Sequence, residues 1–245
     1  MTQIAIIVPC YNEADRLKCN AFIEFVRKHR DITFIFVDDG STDKTGELLA
    51  AMCRIEQNNS RLITFETNHG KAEAVRQGTL SAIAAGAVYV GYWDADLATP
   101  LGAILDFVEQ FKQRADLLAV IGARVQLLGR NINRTYSRHY LGRIFATLAS
   151  IVLRLPVYDT QCGAKLFVTS EPVARAFKEP FISRWIFDVE IFARLMHRTD
   201  VNARSRIYEF PLTEWTDVRG SKIKVKDFFM ALWDLGWIHF TYRRC

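Results

Sequence analysis

Two carboxylates one residue apart, Asp94 and Asp96, close the apolar run Val88-Tyr-Val-Gly-Tyr-Trp93 and lead into Ala98-Thr99-Pro100. Acids so spaced repel and raise each other's pKa unless a cation lies between them or one faces elsewhere. A divalent ion that also touches a diphosphate answers that requirement, because Mg2+ favours one or two carboxylates together with phosphate oxygens. The competing reading is a polar turn after a strand, since Asp-x-Asp is short and common. Three further clusters carry related chemistry. Tyr11-Asn12-Glu13 follows Pro9-Cys10. Asp38-Asp39-Gly40-Ser41 offers adjacent acids that can accept from the imide N–H of uracil or from ribose hydroxyls, as acids do in dinucleotide folds. An ordinary turn with an N-cap explains one of those acids but not both. Asn68-His69-Gly70-Lys71 puts a glycine where backbone can approach a ligand, and a lysine at a helix start, which already favours anions. Plain solvation is the simpler account of Lys71, and His69 reads as a loop histidine.

The elements that must position these residues follow from patterning. A run without polar alternation suits a strand covered on both faces, and ligands of parallel sheets sit outside the carboxyl ends of the strands. Such strands are expected at residues 3–8, 32–37, 61–67 and 88–93. Helices between them are expected over about 14–30, from a cap at Ser41, Thr42 or Asp43 to about 57, and from Lys71 to Ala85, where Gly86 ends the helix. This alternation with short connections predicts an α/β fold: a Rossmann-like, mostly parallel sheet with helices on both faces and its loops gathered at one edge. Beyond Pro100 the pattern predicts a helix over 101–114 and a strand over 117–123. A basic amphipathic helix follows, with Arg130, Arg134, Arg138 and Arg143 on one side and Leu141, Ile144, Phe145, Leu148 and Val152 on another. Then come a strand over 164–168, a helix over about 186–197, a strand over 207–215 and a last segment over 225–242. That segment carries Phe228, Phe229, Leu232, Trp233, Trp237, Phe240 and Tyr242 and ends in Arg243-Arg244.

Composition narrows the partners. Half of the 245 residues are apolar and 12% aromatic, which excludes a disordered or fibrous chain. The net charge is +5, yet between Arg124 and Val157 there are six arginines and no acid. A field so concentrated points to an anionic partner, either phosphate or a membrane surface, and no motif supports nucleic acid. Neither a P-loop nor a G-x-G-x-x-G is present, which removes the main support for an ATPase or a dehydrogenase. Five cysteines, odd in number and without CxxC spacing, read as reduced thiols of a cytoplasmic protein, Cys162 among them as a small packed residue. The run Ile4–Val8 is too short for a signal peptide, and no uncharged apolar run approaches the ~18 residues that span a bilayer. Any membrane role is therefore expected to be peripheral. The basic helix and the aromatic last segment suit a lipid interface, although docking on the protein accounts for their apolar sides equally well.

Val8-Pro-Cys-Tyr-Asn-Glu13, Val37-Asp-Asp-Gly-Ser-Thr-Asp43, Asn68-His-Gly-Lys71 and Asp94-Ala-Asp-Leu97, in this order, resemble the nucleotide-sugar half of a family-two glycosyltransferase of GT-A fold. Asp159-Thr-Gln-Cys-Gly-Ala-Lys-Leu-Phe167, Arg184-Trp-Ile-Phe-Asp-Val-Glu190 and Glu214-Trp-Thr with Gly220-Ser-Lys222 are similar to the dolichyl-phosphate β-glucosyltransferases and their bacterial polyprenyl-phosphate relatives. The resemblance covers nearly the whole chain, and its later motifs are the more selective. It implies one GT-A domain over residues 1–245, with a nucleotide-sugar half at 1–100 and an acceptor half at 101–245 that ends in the amphipathic segment. It also implies transfer of a sugar, glucose from UDP-glucose, to a lipid phosphate with inversion at the anomeric carbon. Asp38 or Asp39 would hold uridine, Asp94 and Asp96 would hold Mg2+ or Mn2+ on the diphosphate, Arg124 would meet a phosphate, and Arg134 and Arg138 would draw in the acceptor. Two features depart from the pattern: eukaryotic members carry an N-terminal membrane anchor that is not matched here, and Ala164 stands where an aromatic is usual.

The chemistry constrains the roles. Departure of UDP builds negative charge on the leaving oxygen, which a Lewis-acidic ion, Lys71 or arginines would stabilise. A phosphate monoester acceptor is largely dianionic at neutral pH, its second pKa being about 6, so it needs placement more than a base. A sugar hydroxyl would need a carboxylate base, and Asp188 is the candidate. Asp188 and Glu190 are two apart at a helix start, so at most one is expected to point inward; capping, or pairing with Arg184, is the alternative role for Asp188. Trp185 and Trp215 stack on sugar or fill core. The expected site thus has Asp96, Asp188 and Arg124 as catalytic residues. Pro9, Tyr11, Glu13, Asp38, Asp39, Lys71, Asp94 and Ala95 are expected on the donor, and Arg124, Arg134, Arg138, Lys165 and Trp185 on the acceptor. Three alternatives stay open: a glycan or glycolipid hydroxyl as acceptor, a nucleotidyltransferase releasing pyrophosphate, and a non-enzymatic membrane-binding module, which would leave the clustered acids without a purpose.

Overall fold

A computed structural model of the chain describes residues 3–133, 136–197, 203–218 and 225–242. Its first elements are β1 (Ile4–Cys10), α1 (Cys19–Lys28), β2 (Ile32–Asp38), α2 (Thr45–Ile55), β3 (Ser60–Thr64), α3 (Lys71–Ala84), β4 (Tyr89–Trp93), α4 (Ala103–Gln113) and β5 (Ala119–Ala123). They continue as β6 (Asn131–Asn133), α5 (Tyr136–Leu153), β7 (Ala164–Val168), α6 (Glu171–Lys178), α7 (Phe187–His197), β8 (Ile207–Pro211), β9 (Glu214–Thr216) and α8 (Val225–Tyr242). The chain divides into two compact units, one of residues 1–97 with 164–180 and one of 98–163 with 181–245.

In the first unit the strands lie in the order β3-β2-β1-β4-β7. β2 and β4 run parallel to β1, β3 runs parallel to β2, and β7 alone is antiparallel, to β4. Every residue of β2 is buried, which requires cover on both faces. The helices supply it. Phe22 of α1 packs edge-on against Phe34 and Phe36, with centroids 5.0 and 5.2 Å apart; such ring pairs add about 0.5–1.5 kcal/mol beyond their area burial. Gly78 of α3 comes so close to Ile7 and Val37 that a Cβ there would lie 2.7 Å from Ile7. Phe34 and Phe36 have one parity along β2 and Val37 the other, so α1 and α3 cover opposite faces, as the sequence pattern predicts.

In the second unit β5 and β8 pair in parallel, Ala119 opposite Ile207 through Ala123 opposite Pro211, and β6 and β9 form a separate parallel pair. The core here is helical: Phe145, Ala149 and Leu153 of α5 meet Val189 and Phe192 of α7 and Ala231, Leu235 and Ile238 of α8.

Several boundaries differ from the pattern-based expectation. α1 starts at Cys19 rather than near residue 14, because residues 13–17 form turns closed on the Glu13 carbonyl. The strand expected over 207–215 is two strands, since Leu212 and Thr213 separate the partner of β5 from the partner of β6. α6 was not expected, although Ser170 before Pro172 is a usual helix start. Arg130 precedes β6 and lies outside α5, so the proposed arginine side is not one helical face. Arg134, Gly220-Ser221-Lys222 and Arg243-Arg244 lie outside the described residues, as do the side chains of Arg138, Phe228 and Phe229.

Candidate functional site

Parallel strands put the first three clusters at one edge of the first unit's sheet, and hydrogen bonds between loops fix them there. The register sets Cys10 beside Asp38, and the Asp39 N–H donates to the Cys10 carbonyl at 2.9 Å. Asn12, in the left-handed region at φ 52, receives the Thr42 N–H on its side-chain oxygen at 2.8 Å, while its own N–H donates to Ser41 Oγ at 3.1 Å. The Glu13 N–H donates to Thr45 Oγ1 at 2.8 Å, and the Glu13 carboxylate pairs with Arg16 at 2.6 Å. Pro9 sits in β1 opposite Val37, and Tyr11 is half-buried just beyond the strand end.

The two acids after β2 have separate duties. Asp38 takes the Ser41 N–H at 3.0 Å and closes its own loop. Asp39 reaches across to the loop before α3, accepting from His69 N at 2.7 Å, Gly70 N at 2.8 Å and Asn68 Nδ2 at 2.9 Å. Both are buried, and these donors replace the water that burial removes. Gly70, at φ 96 and ψ 157, holds a conformation that disfavours any Cβ and delivers its N–H to Asp39. Burial first, then the nearby carboxylates of Glu13 and Asp38, push the Cys10 thiol well above its ordinary range; burial alone takes Cys53 to about 11. A thiol shifted upward in this way carries little of the nucleophilic thiolate.

Asp94 and Asp96 sit in a turn closed by the Leu97 N–H on the Asp94 carbonyl at 3.2 Å, so the face alternation of a strand does not separate them. Lys71 Nζ meets Asp94 Oδ1 at 2.5 Å, with about a third of each side chain exposed. This carboxylate already pairs with one ammonium and stays open to water. Ala95, between the acids, is buried. Among the described residues no set of three or more His, Cys, Asp or Glu side chains gathers to hold a metal. Two carboxylates that leave the remaining positions to diphosphate oxygens are the donor set that Mg2+ or Mn2+ takes, so Asp94 and Asp96 fit the implied ion. Lys165 is fully buried in β7 opposite Tyr92, its ammonium 5.3 Å from the Tyr92 ring centre. Next to it, Ala164 lies opposite the fully buried Trp93.

In the second unit Arg124 follows β5 and is gripped by Asp159: Nε and Nη2 donate at 2.6 and 2.8 Å to its two oxygens, and the Arg124 N–H adds a third bond at 3.1 Å. Trp215 lies beside it, its ring centre 5.3 Å from the guanidinium carbon, and is buried, as core tryptophans are. Arg143 turns to Tyr158 instead of sharing a basic face. Its Nη1 donates to the Tyr158 carbonyl at 3.0 Å, and its guanidinium carbon is 3.6 Å from the ring centre. Asp188 and Glu190 are both buried, contrary to the expectation that only one would point inward. Glu190 is accommodated because Arg194, Tyr242 and the N–H groups of Ile182 and Ser183 all donate to it. Ser183 closes the turn that leads into α7: its Oγ accepts from Trp185 N and Ile186 N and donates to Asp234. Trp185 stands 44% exposed beside it. The residues that the sequence reading missed are Asp159, quoted within a motif but given no role, and Glu209, whose only signal is a lone acid inside an otherwise uncharged strand.

Comparison with known proteins agrees with this arrangement. The model of "Glycosyl transferase family 2" matches residues 5–169. The dolichyl-phosphate beta-glucosyltransferase of Mus musculus is 33% identical over 243 residues, which cover 90% of this chain and 69% of that one. The enzyme of the same name from Dictyostelium discoideum is 32% identical over 238 residues, covering 90% and 68%. Among solved structures, glucosyl-3-phosphoglycerate synthase from Mycobacterium tuberculosis, crystallised with Mn2+ and UDP-glucose, superposes with a TM-score of 0.66 at 16% identity, covering 98% of this chain and 79% of that one. That likeness establishes a shared fold, the GT-A architecture of a mostly parallel sheet flanked by helices. With four ordered motifs built onto one sheet edge and two thirds of its length matched, the chain belongs to glycosyl transferase family 2.

Proposed function

We propose that this protein transfers a sugar, glucose from UDP-glucose, to a polyprenyl or dolichyl phosphate with inversion, working on the cytosolic surface of a membrane. Family membership and the curated relatives support the donor half. The observation that carries the lipid half is a pair of exposed apolar stripes in the second unit. Leu141, Ile144, Leu148 and Ile151 on α5, and Met230, Trp233, Trp237 and Phe240 on α8, each recur at helical spacing and stand 37–76% exposed. The opposite sides of the same helices fill the core, so each helix is apolar on two faces and needs a second apolar medium. Exposed apolar residues that recur along one side of a helix suit an interaction site, and aromatic residues suit the lipid headgroup boundary. Among the described residues no helix is long and apolar enough to cross a membrane.

In this reading the first unit handles the donor. Asp38, Asp39, Pro9, Tyr11 and Glu13 receive the nucleoside, and Lys71, Asp94, Ala95 and Asp96 receive the diphosphate. Asp94 and Asp96 would hold a divalent ion, which would supply Lewis-acid stabilisation of the departing UDP. Lys71 adds a positive charge at the start of α3, where the helix dipole already favours phosphate. The second unit handles the acceptor, with Arg124, Arg134, Arg138 and Trp185 as its contacts; Lys165, buried in β7, braces the strand beside the acids. A dianionic acceptor phosphate is itself the nucleophile, so Asp188 has no proton to remove.

The test is to incubate the full chain with labelled UDP-sugars, Mn2+ and short-chain polyprenyl phosphate, with and without EDTA. Chelator-sensitive UDP release with label passing into the lipid fraction is expected. Release of pyrophosphate, or label passing only to hydroxyl acceptors, would discard the proposal.

A further inference from the structure

We propose that Glu209, in β8, is a positioning residue for the acceptor phosphate, acting through Asp159 to set the Arg124 guanidinium. This rests on the reading of Arg124 as a contact of that phosphate. A carboxylate placed within a strand loses hydration that only strong donors replace. Glu209 finds them in one peptide segment: the Tyr158 N–H lies 3.0 and 2.9 Å from its two oxygens, and the Asp159 N–H lies 2.6 Å from Oε1. Hydrogen bonds to an ionised acceptor are roughly twice as strong as neutral ones. From the other side Arg143 donates to the Tyr158 carbonyl at 3.0 Å. The backbone at 158–159 is therefore clamped by an acid on its donors and a base on its acceptor.

The clamp matters because of what Asp159 does with its side chain. One oxygen takes the Arg124 N–H and Nε, and the other takes Nη2 and the Gln161 N–H at 3.2 Å. A bidentate pair fixes the plane of a guanidinium as well as its position. Arg124 and Asp159 are both largely buried, with side chains 13% and 8% exposed, so neither has water to substitute for the other. Glu209 pairs in register with Ile121, three residues before Arg124. One carboxylate thus refers both ends of the pair to the β5–β8 ladder. Loss of Glu209 leaves two N–H groups without their acceptor, and the segment that aims Asp159 shifts.

The experiment uses the full chain with UDP-glucose, Mn2+ and short-chain polyprenyl phosphate, comparing Glu209→Ala, Glu209→Gln, Arg124→Ala and the double variant Glu209→Ala/Arg124→Ala. A misplacement of about 1 Å can cost up to ~100-fold in rate, so Glu209→Ala is expected to lower kcat/KM for the acceptor by roughly that factor while the KM for UDP-glucose holds. Glu209→Gln keeps one carbonyl for the Asp159 N–H and is expected to recover part of the loss. In the Arg124→Ala background the Glu209 change is expected to add nothing. An equal fall for both substrates that tracks a lower Tm, or an additive double variant, would overturn the relay and leave Glu209 a general brace. Full acceptor turnover in Glu209→Ala beside an impaired Arg124→Ala sinks the relay alone. Normal acceptor kinetics in Arg124→Ala sink the reading of Arg124 and the relay with it. If Glu209→Ala does not fold, Glu209→Gln decides by the same split.

Discussion

Replacing Gly40 with alanine removes no functional group, yet it should damage the donor site by steric force alone. Gly40 lies at φ +68, and a Cβ there would sit 2.5 Å from Thr67 C, 2.7 Å from Asn68 N and 2.8 Å from Thr67 Cα. All three are backbone atoms, so no side chain can swing aside. The left-handed conformation costs an alanine about 1–2 kcal/mol, and overpacking against a fixed wall costs about 1–3 kcal/mol more. Gly86→Ala is the matched control, because Gly86 has φ +79 and nothing within 4 Å of its would-be Cβ. It carries only the conformational penalty. Both glycines belong to the first compact unit, so one urea transition followed by circular dichroism reports both. The difference of about 1–3 kcal/mol, at a urea slope near 3 kcal/mol per molar, corresponds to a midpoint gap of about 0.3–1 M. The same displacement separates Asp39 from its donors at 68–70, so the KM for UDP-sugar should rise in Gly40→Ala and not in Gly86→Ala. Equal midpoints for the two variants would refute the claim that the β2–α2 and β3–α3 loops touch here.

Asp96→Ala should lower turnover by ~100-fold or more, the range for losing one group that stabilises developing charge, with circular dichroism and Tm unchanged; normal turnover would remove the metal reading. Trp233→Ser with Trp237→Ser should reduce flotation with anionic phospholipid vesicles roughly tenfold or more, since burying a large apolar side chain gains about 1.5–3 kcal/mol; undiminished flotation would reject the α8 stripe as the lipid face. Glu73 is held below the ordinary carboxylate range, chiefly by its hydrogen bonds with Arg76 at 2.7 Å. A depressed folded-state pKa contributes stability above the unfolded value of about 4.3 and loses it as pH falls through the folded value. The urea midpoints of the parent and Glu73→Gln should therefore differ at neutral pH and converge in acid, and a gap that persists below that window would count against the pairing.

The family motifs were legible because they are local. An apolar run ending in acids, or glycine before lysine at a helix start, states its chemistry within a few residues, and parallel alternation brings those strand ends to one edge without further information. Cover on both faces of β2 was equally legible, since no polar residue interrupts the four positions from Phe34 to Val37. The sequence alone thereby determined the fold class and the sheet edge on which these motifs lie.

Tertiary structure decided which partner each charge takes, because that depends on residues far apart along the chain. Asp39 serves a loop some 30 residues away, Arg124 answers to Asp159, and Arg143 folds inward onto Tyr158. A run of arginines reads as one basic field only until Arg124 and Arg143 are given their neighbours. Likewise an apolar helix pattern does not say which stripe is core: α5 places Phe145 inside and Leu141 outside, because three helices packing together choose one stripe and leave the other uncovered.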